Sequence, residues 1–376
     1  MKKSDANSYI IYFIIIITTI LLGLFVLRPA MANNYPANDM NKFLVAIISL
    51  VGSIIVIATA YELMHKLGAK AGGYKVYSLN VLGFNFYKDE NDKSKFKFSK
   101  FDGLTGETKI APRLRKNDKI CNPKPMLYFG NLFAAAILLV SVLLYLANSA
   151  NPGAVQVMWT CIIIVDTVFL LYNFFPVELD SKSDGFQLKL VGKESDYPVY
   201  NEYLRLQEAT YYGKDRGEIK VFTDNMSDFA AKIDLITVYD YIEKNKIYEA
   251  IKLIDKILTK KDELHYNVGI QFIAQKLFLQ LYTGRFEDAK NFYSELASDE
   301  KRDISNSKDF VCIRTYVLIS ALLDPSESEI QYATSIADKS YKKVEPGYRE
   351  IEKTLYKGAL KVAQEAHPKW TLIIED

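Results

Sequence analysis

Apolar residues are not spread evenly along this chain. They are concentrated in four blocks before residue 177, each long enough to cross a hydrocarbon layer. Such a layer is about 30 Å thick, and roughly 20 helical residues span it. The blocks run from Tyr9 to Leu27, Phe43 to Tyr61, Met126 to Ala147 and Val155 to Phe175, and each predicts a transmembrane helix. Between the second and third blocks the pattern changes to alternation. Tyr77, Leu79 and Val81, then Phe84 and Phe86, then Phe96 and Phe98 among lysines, take every second position, which predicts strands over residues 74–101. Gly72-Gly73 and the charged stretch from Lys88 to Lys93 supply the breaks. Past about residue 198, apolar residues recur at helical spacing among dense mixed charge, while glycine and proline become sparse.

The expected fold is therefore mainly α. Residues 1–190 form a polytopic bundle of four transmembrane helices with a small β-hairpin layer, and residues 198–376 form a helical repeat domain. Amphipathic strands directly after a membrane helix suit a layer at the cytoplasmic interface, its aromatic face toward lipid or a cleft. The same alternation also suits a small soluble hairpin domain. At the N-terminus, two lysines, an apolar run and Ala30-Met31-Ala32 also resemble a cleavable signal peptide, although the run is long for one.

Whole-chain averages conceal this division. A chain of 376 residues, 49% hydrophobic, 13% aromatic and of net charge +2, with a mean hydropathy near zero, would suit one or two soluble domains. Yet nearly two-thirds of the charged residues lie in the second half. The blocks exclude an ordinary soluble enzyme. The composition excludes disordered and collagen-like chains, and three scattered cysteines give neither a disulfide framework nor a metal spacing. Lysine outnumbers arginine 38 to 9 with acids nearly balancing both, which gives no case for nucleic acid as a partner.

Charge also orients the helices. Residues 65–125 carry 14 Lys and Arg against 6 Asp and Glu, whereas residues 148–154 carry none. The excess of Lys and Arg in cytoplasmic connections then puts the long connection inside and the short turn outside. With Lys2 and Lys3 also inside, both termini of a multi-pass cell-membrane protein are cytoplasmic.

At the inner end of the second block stands Tyr61-Glu62-Leu63-Met64-His65. Ionisable groups at membrane depth are costly and mark functional sites. In H-E-x-x-H, two histidines one helical turn apart bind zinc and the glutamate activates the metal-bound water. Here Glu62 and His65 are in place and Tyr61 stands where the first histidine belongs. On an interfacial helix the same pair also suits a polar end that snorkels to the headgroups. The fourth block ends in Asn173-Phe174-Phe175-Pro176, followed by Ser183-Asp184-Gly185, which is also ordinary turn chemistry.

This order, Glu-x-x-His on one membrane helix, then strands, another helix, and Asn-x-x-Pro with Asp-Gly closing the last, resembles the site-2 protease family of intramembrane zinc metallopeptidases. The resemblance covers roughly residues 43–190 and includes Gly72-Gly73-Tyr74-Lys75 and, less specifically, Gly130-Asn131. It implies Glu62 as general base, His65 and Asp184 as zinc ligands and Asn173 as a substrate-positioning residue. The departure is the ligand count, since catalytic zinc takes three protein ligands plus water and only two stand at matching positions. Tyr61 or Asp166 are possible substitutes. Asp166 lies seven residues before Asn173 on the same helical face, where it also suits a polar contact between helices. Glu178 and Asp180 are further acids near the exit.

In the second half, Asn245-Lys246-Ile247-Tyr248-Glu249-Ala250 aligns with Gly284-Arg285-Phe286-Glu287-Asp288-Ala289, with Ile254 and Tyr293 four places after the alanines. The pattern resembles tetratricopeptide helix hairpins, which stack into grooves for peptides or proteins. A third, degenerate hairpin is expected from Phe310 to Ser340 around Asp324-Pro325. The plain alternative is a helical domain that only stabilises the membrane part. The expected function is a pseudoprotease with an incomplete zinc site, binding membrane-embedded peptides or proteins, membrane lipid and a cytoplasmic partner. The alternatives are an active intramembrane zinc metallopeptidase, and a membrane anchor or transporter-associated subunit.

Overall fold

The computed structural model describes residues 3–32, 39–89, 91–100, 105–113, 120–149, 153–178, 182–222 and 227–371. Lys2 and Asp180, which bear on the expectations above, lie outside them. The chain forms two compact units, Met1–Asn201 and Glu202–Asp376.

In the first unit, α1 (Lys3–Leu22) passes through a π-helical turn at Gly23–Leu27 into α2 (Arg28–Ala32), and α3 (Asp39–Ala71) follows. After four strands come α4 (Lys124–Ala147), α5 (Ala154–Phe174), the short α6 (Asp184–Leu190) and α7 (Tyr197–Tyr212), within which the division between the units falls. Among the described residues four stretches are, by length and composition, long and apolar enough to cross a membrane: Asn7–Ala32, Met40–Ala71, Lys124–Ala147 and Ala154–Phe174. The second continues ten residues beyond the expected end at Tyr61, because Glu62 to Ala71 holds no proline and a single glycine, whereas Gly72-Gly73, with Gly73 at positive φ, ends it. Glu62 and His65 therefore lie inside a helix and not at its end.

Helix α3 packs against α4 and α5, and α4 against α5. Helix α1 packs through Ile15 on Tyr172 of α5 and on Val177 just beyond its end, with the Tyr12 ring edge-on to Tyr172 at 6.0 Å. Near its start, Ser8 Oγ accepts the Glu178 amide at 3.0 Å and donates to the Glu178 carbonyl at 3.3 Å.

The strands are β1 (Tyr74–Val81), β2 (Phe84–Lys88), β3 (Ser94–Phe98) and β4 (Gly106–Pro112), antiparallel in the order β3-β2-β1-β4. The expected strand region ended at residue 101, so β4 extends it. Its Thr-Gly-Glu-Thr start lacks the apolar alternation that marked the others. The β1–β2 turn uses Leu82 and Gly83, both at positive φ. Leu79 and Val81 pack on Ala58 of α3, so the sheet runs back beside that helix.

The second unit is helical: α8 (Asp228–Glu243), α9 (Ile247–Leu258), α10 (Tyr266–Tyr282), α11 (Phe286–Glu295), α12 (Ser298–Asn306), α13 (Phe310–Leu322), α14 (Glu327–Tyr341) and α15 (Pro346–Ala366). The pairs α8/α9, α10/α11 and α13/α14 pack as neighbours. The two aligned sequence segments form like turns. Asn245 and Gly284 both take positive φ, at 56° and 76°. The next amide in each case reaches back five residues, Lys246 to the Tyr241 carbonyl at 2.7 Å and Arg285 to that of Gln280 at 2.8 Å. This is the Schellman geometry that glycine and asparagine favour. At the α13/α14 turn, Asp324 bonds back to Ile319 without a residue at positive φ. Inside this unit Arg314 is fully buried and donates to Glu352 at 2.7 Å. It also bonds Gln275 and lies 4.0 Å from the centre of the Phe278 ring, while Tyr239 donates to Glu352.

Candidate functional site

Tyr61 and His65 sit one turn apart on α3 and so share a face. Helix α4 lies close against that face because residue 130 is glycine. A Cβ there would come within 2.8 Å of the Tyr61 ring and 2.9 Å of His65 Nε2, so any side chain would push those two groups aside. The next residue, Asn131, is thereby placed to accept a hydrogen bond from the Tyr61 hydroxyl at 3.2 Å, while its own amide donates to the Leu127 carbonyl at 3.1 Å.

The exit from α5 delivers the fourth member. Ser183 caps α6 by accepting the Phe186 amide at 3.2 Å, and also donates to the Phe175 carbonyl at 2.6 Å and accepts from Val177 N at 2.9 Å. Gly185 lies so close to the end of α5 that a Cβ would fall 2.3 Å from the Phe174 carbonyl. Serine and glycine thus fix Asp184 between them, and its carboxylate enters the apolar bundle. There one oxygen, Oδ2, receives the Tyr61 hydroxyl at 2.7 Å and meets His65 Nε2 at 2.8 Å.

Glu62 is held differently. Its two oxygens accept the hydroxyls of Thr105 and Thr108, each at 2.6 Å, and Oε2 stands 3.5 Å from His65 Nδ1. The imidazole is therefore bracketed by two carboxylates, one on each ring nitrogen. Tyr61, Glu62, His65 and Asp184 are all buried, none more than 7% exposed.

Of the residues expected at a site, Tyr61, Glu62, His65 and Asp184 come together. Asp166 and Asn173 do not join their hydrogen bonds. Asp166 is fully buried on α5 and neither carboxylate oxygen has a hydrogen-bond partner among the described residues. Asn173 donates back to its own helix, to the Phe169 carbonyl at 3.1 Å. Glu178 pairs with Lys182 at 3.2 Å. Thr105 and Thr108 escaped the sequence reading altogether. Their signal is faint, two hydroxyls three residues apart after a Phe-rich hairpin.

The arrangement does not fit a catalytic zinc ion. Among the described residues no group of three or more His, Cys, Asp or Glu side chains could hold a metal. The two that the family resemblance would make ligands are hydrogen-bonded to each other, and Tyr61 uses its proton as a donor where a ligating phenol must have lost it. What the cluster does chemically is satisfy itself, and in doing so it ties α3, α4 and α6 together. No protein-family model, no curated protein and no solved structure matches the chain.

Proposed function

We propose that the chain is a multi-pass membrane protein with a site-2-protease-like cleft that binds and does not cut. Both termini lie in the cytoplasm, the apolar bundle receives a membrane-embedded peptide or protein segment, and the second unit, read as divergent tetratricopeptide-like repeats, engages a cytoplasmic protein. The observation that carries this reading is the double use of Asp184 Oδ2 by Tyr61 and His65. A carboxylate oxygen so engaged is a structural acceptor, and removing either donor would leave a buried charge short of a partner. Glu62, with both oxygens committed to threonine hydroxyls, is likewise a poor base.

The proximity of Glu62, His65 and Asp184 favours one competing reading, the active intramembrane metallopeptidase, and elemental analysis separates the two. Detergent-purified native protein is expected to carry no zinc above the level of its His65→Ala and Asp184→Ala variants. Near-stoichiometric zinc, lost in both, overturns the proposal in favour of the protease. The Tyr61→His variant supplies the missing imidazole, and a gain of zinc there would support a cleft that has shed its metal.

A further inference from the structure

Strands β2 and β3 pair Phe84 with Phe98 and Phe86 with Phe96, so all four rings project from one face. Directly opposed rings lie 5.0 and 5.2 Å apart between centroids, and Phe84 and Phe96 stack diagonally at 6.2 Å. Aromatic rings packed like this are ordinarily buried, yet these are 47%, 55%, 49% and 72% exposed for Phe84, Phe86, Phe96 and Phe98. The face continues inward: Phe86 is opposite Leu79 and Phe84 opposite Val81, and those two residues pack on Ala58. Ala58 lies thirteen residues before the end of α3, which is about 20 Å along the helix axis. The aromatic face thus stands beside the apolar stretch of α3, far back from its polar end.

The other face of the same hairpin carries lysines. Lys95 and Lys97 are opposite Tyr87 and Asn85, with Lys95 paired to Asp89 at 3.1 Å and the Lys97 ammonium 4.7 Å from the centre of the Tyr87 ring, and Lys93 and Lys100 flank β3. The whole connection, residues 65–125, carries the excess of 14 basic over 6 acidic residues noted above. A rigid aromatic face backed by long cationic side chains matches a bilayer carrying acidic phospholipid, with rings among the acyl chains and ammonium groups reaching the phosphates.

We propose that the β2–β3 hairpin is an anionic-lipid anchor, in which Phe84, Phe86, Phe96 and Phe98 enter the bilayer and Lys95 and Lys97 engage acidic headgroups. This rests on the membrane placement of the helices but not on the state of the Tyr61–His65–Asp184 cluster.

Spin labels on full-length protein test it, since all three native cysteines are buried. Nitroxides at Phe98→Cys, Phe96→Cys, Lys97→Cys and Ile48→Cys are compared in vesicles of phosphatidylcholine alone and of phosphatidylcholine with one-quarter phosphatidylglycerol. The proposal expects labels at 96 and 98 to be relaxed by oxygen but shielded from an aqueous nickel chelate. The shielding should grow with phosphatidylglycerol, and the label at 97 should remain open to nickel. Nickel access at 96 and 98 overturns it, as does shielding from both reagents, which would mean protein covers the face. Equal shielding in both vesicles overturns the acidic-lipid recognition. The label at Ile48, on the exposed face of α3, reports the membrane reading separately. If nickel reaches position 48 the placement of the helices has failed, and if it reaches only 96 and 98 the hairpin anchor alone has failed.

Discussion

Two clusters in this molecule bury ionisable groups, and they do so by opposite means. Around Tyr61, a phenol and an imidazole one turn apart on α3 meet a single carboxylate oxygen of Asp184. Around Arg314, a guanidinium and the Glu352 carboxylate neutralise each other, with Gln275 bonded to the guanidinium and Tyr239 to the carboxylate from two further helices. The second is a buried Arg–Glu salt bridge with an aromatic floor, and the first is a knot in which one carboxylate oxygen serves both a phenol and an imidazole. The difference teaches what each tolerates. Removing one charge from a matched pair strands the other in a dry interior, whereas trimming one donor from Asp184 leaves a second in place.

The largest effect should therefore come from Arg314→Met, which strands Glu352. We expect a loss of about 3–5 kcal/mol in denaturant unfolding of the helical unit, with much of it recovered in the Arg314→Met/Glu352→Gln double variant. If the single and double variants were equally unstable, the pair would not be the organising contact.

Next is Asp234 on α8. Burial lifts its carboxyl from the ordinary 3.8 to about 7, opposed in part by Lys256. Because the folded value lies above the unfolded one, the folded state holds the extra proton between those limits. Stability is then highest below about pH 4 and falls as pH rises through 7, by at most about 4 kcal/mol. Asp234→Asn should flatten that slope, raising the thermal midpoint at pH 8 more than at pH 5. An unchanged slope would assign the pH dependence elsewhere.

Tyr61→Phe sharpens the comparison from the other side. Asp184 keeps His65, so the expected cost is about 1–2 kcal/mol, well below that of Arg314→Met. A cost as large as that of Arg314→Met would mean that the knot behaves as a charge pair. The smallest effect belongs to Gly284→Ala, about 1 kcal/mol, because its φ of 76° strains any side chain. Asn245→Gly at the matching turn should instead be neutral or slightly stabilising, which calorimetry of the two variants would check.

The same contrast explains what could be read beforehand. Tyr61, Glu62 and His65 announce themselves because helical spacing alone puts them together, and Ser183-Asp184-Gly185 because a turn needs those residues. Four long apolar stretches were equally legible from composition. The grip of Thr105 and Thr108 on Glu62 was not, since it joins a strand to a helix across more than forty residues and its strand lacks apolar alternation. Arg314 was hidden for a related reason. Four helices must be packed before its partners meet, and along the sequence it is one more cation on an otherwise apolar helix. Asp166 shows the limit of face arguments: its helical phase was readable, but the hydrogen bonds it would need were not.

The π-helical turn at Gly23–Leu27 has a consequence for how α1 and α2 track α5. Ile15 before the turn meets Tyr172, and Ala30 after it meets Val157 and Cys161. A π turn closes one bond later than an α turn, so it works as a phase correction, resetting which side of the rod faces inward. Deleting a single residue there would restore a regular helix with the residues on either side still facing as they do, because a π turn takes up one residue more than an α turn. Ile15 and Ala30 would both keep their neighbours, whereas a deletion in the regular helix between them would rotate one of them away by about 100°, so at that one place the chain tolerates a change of length.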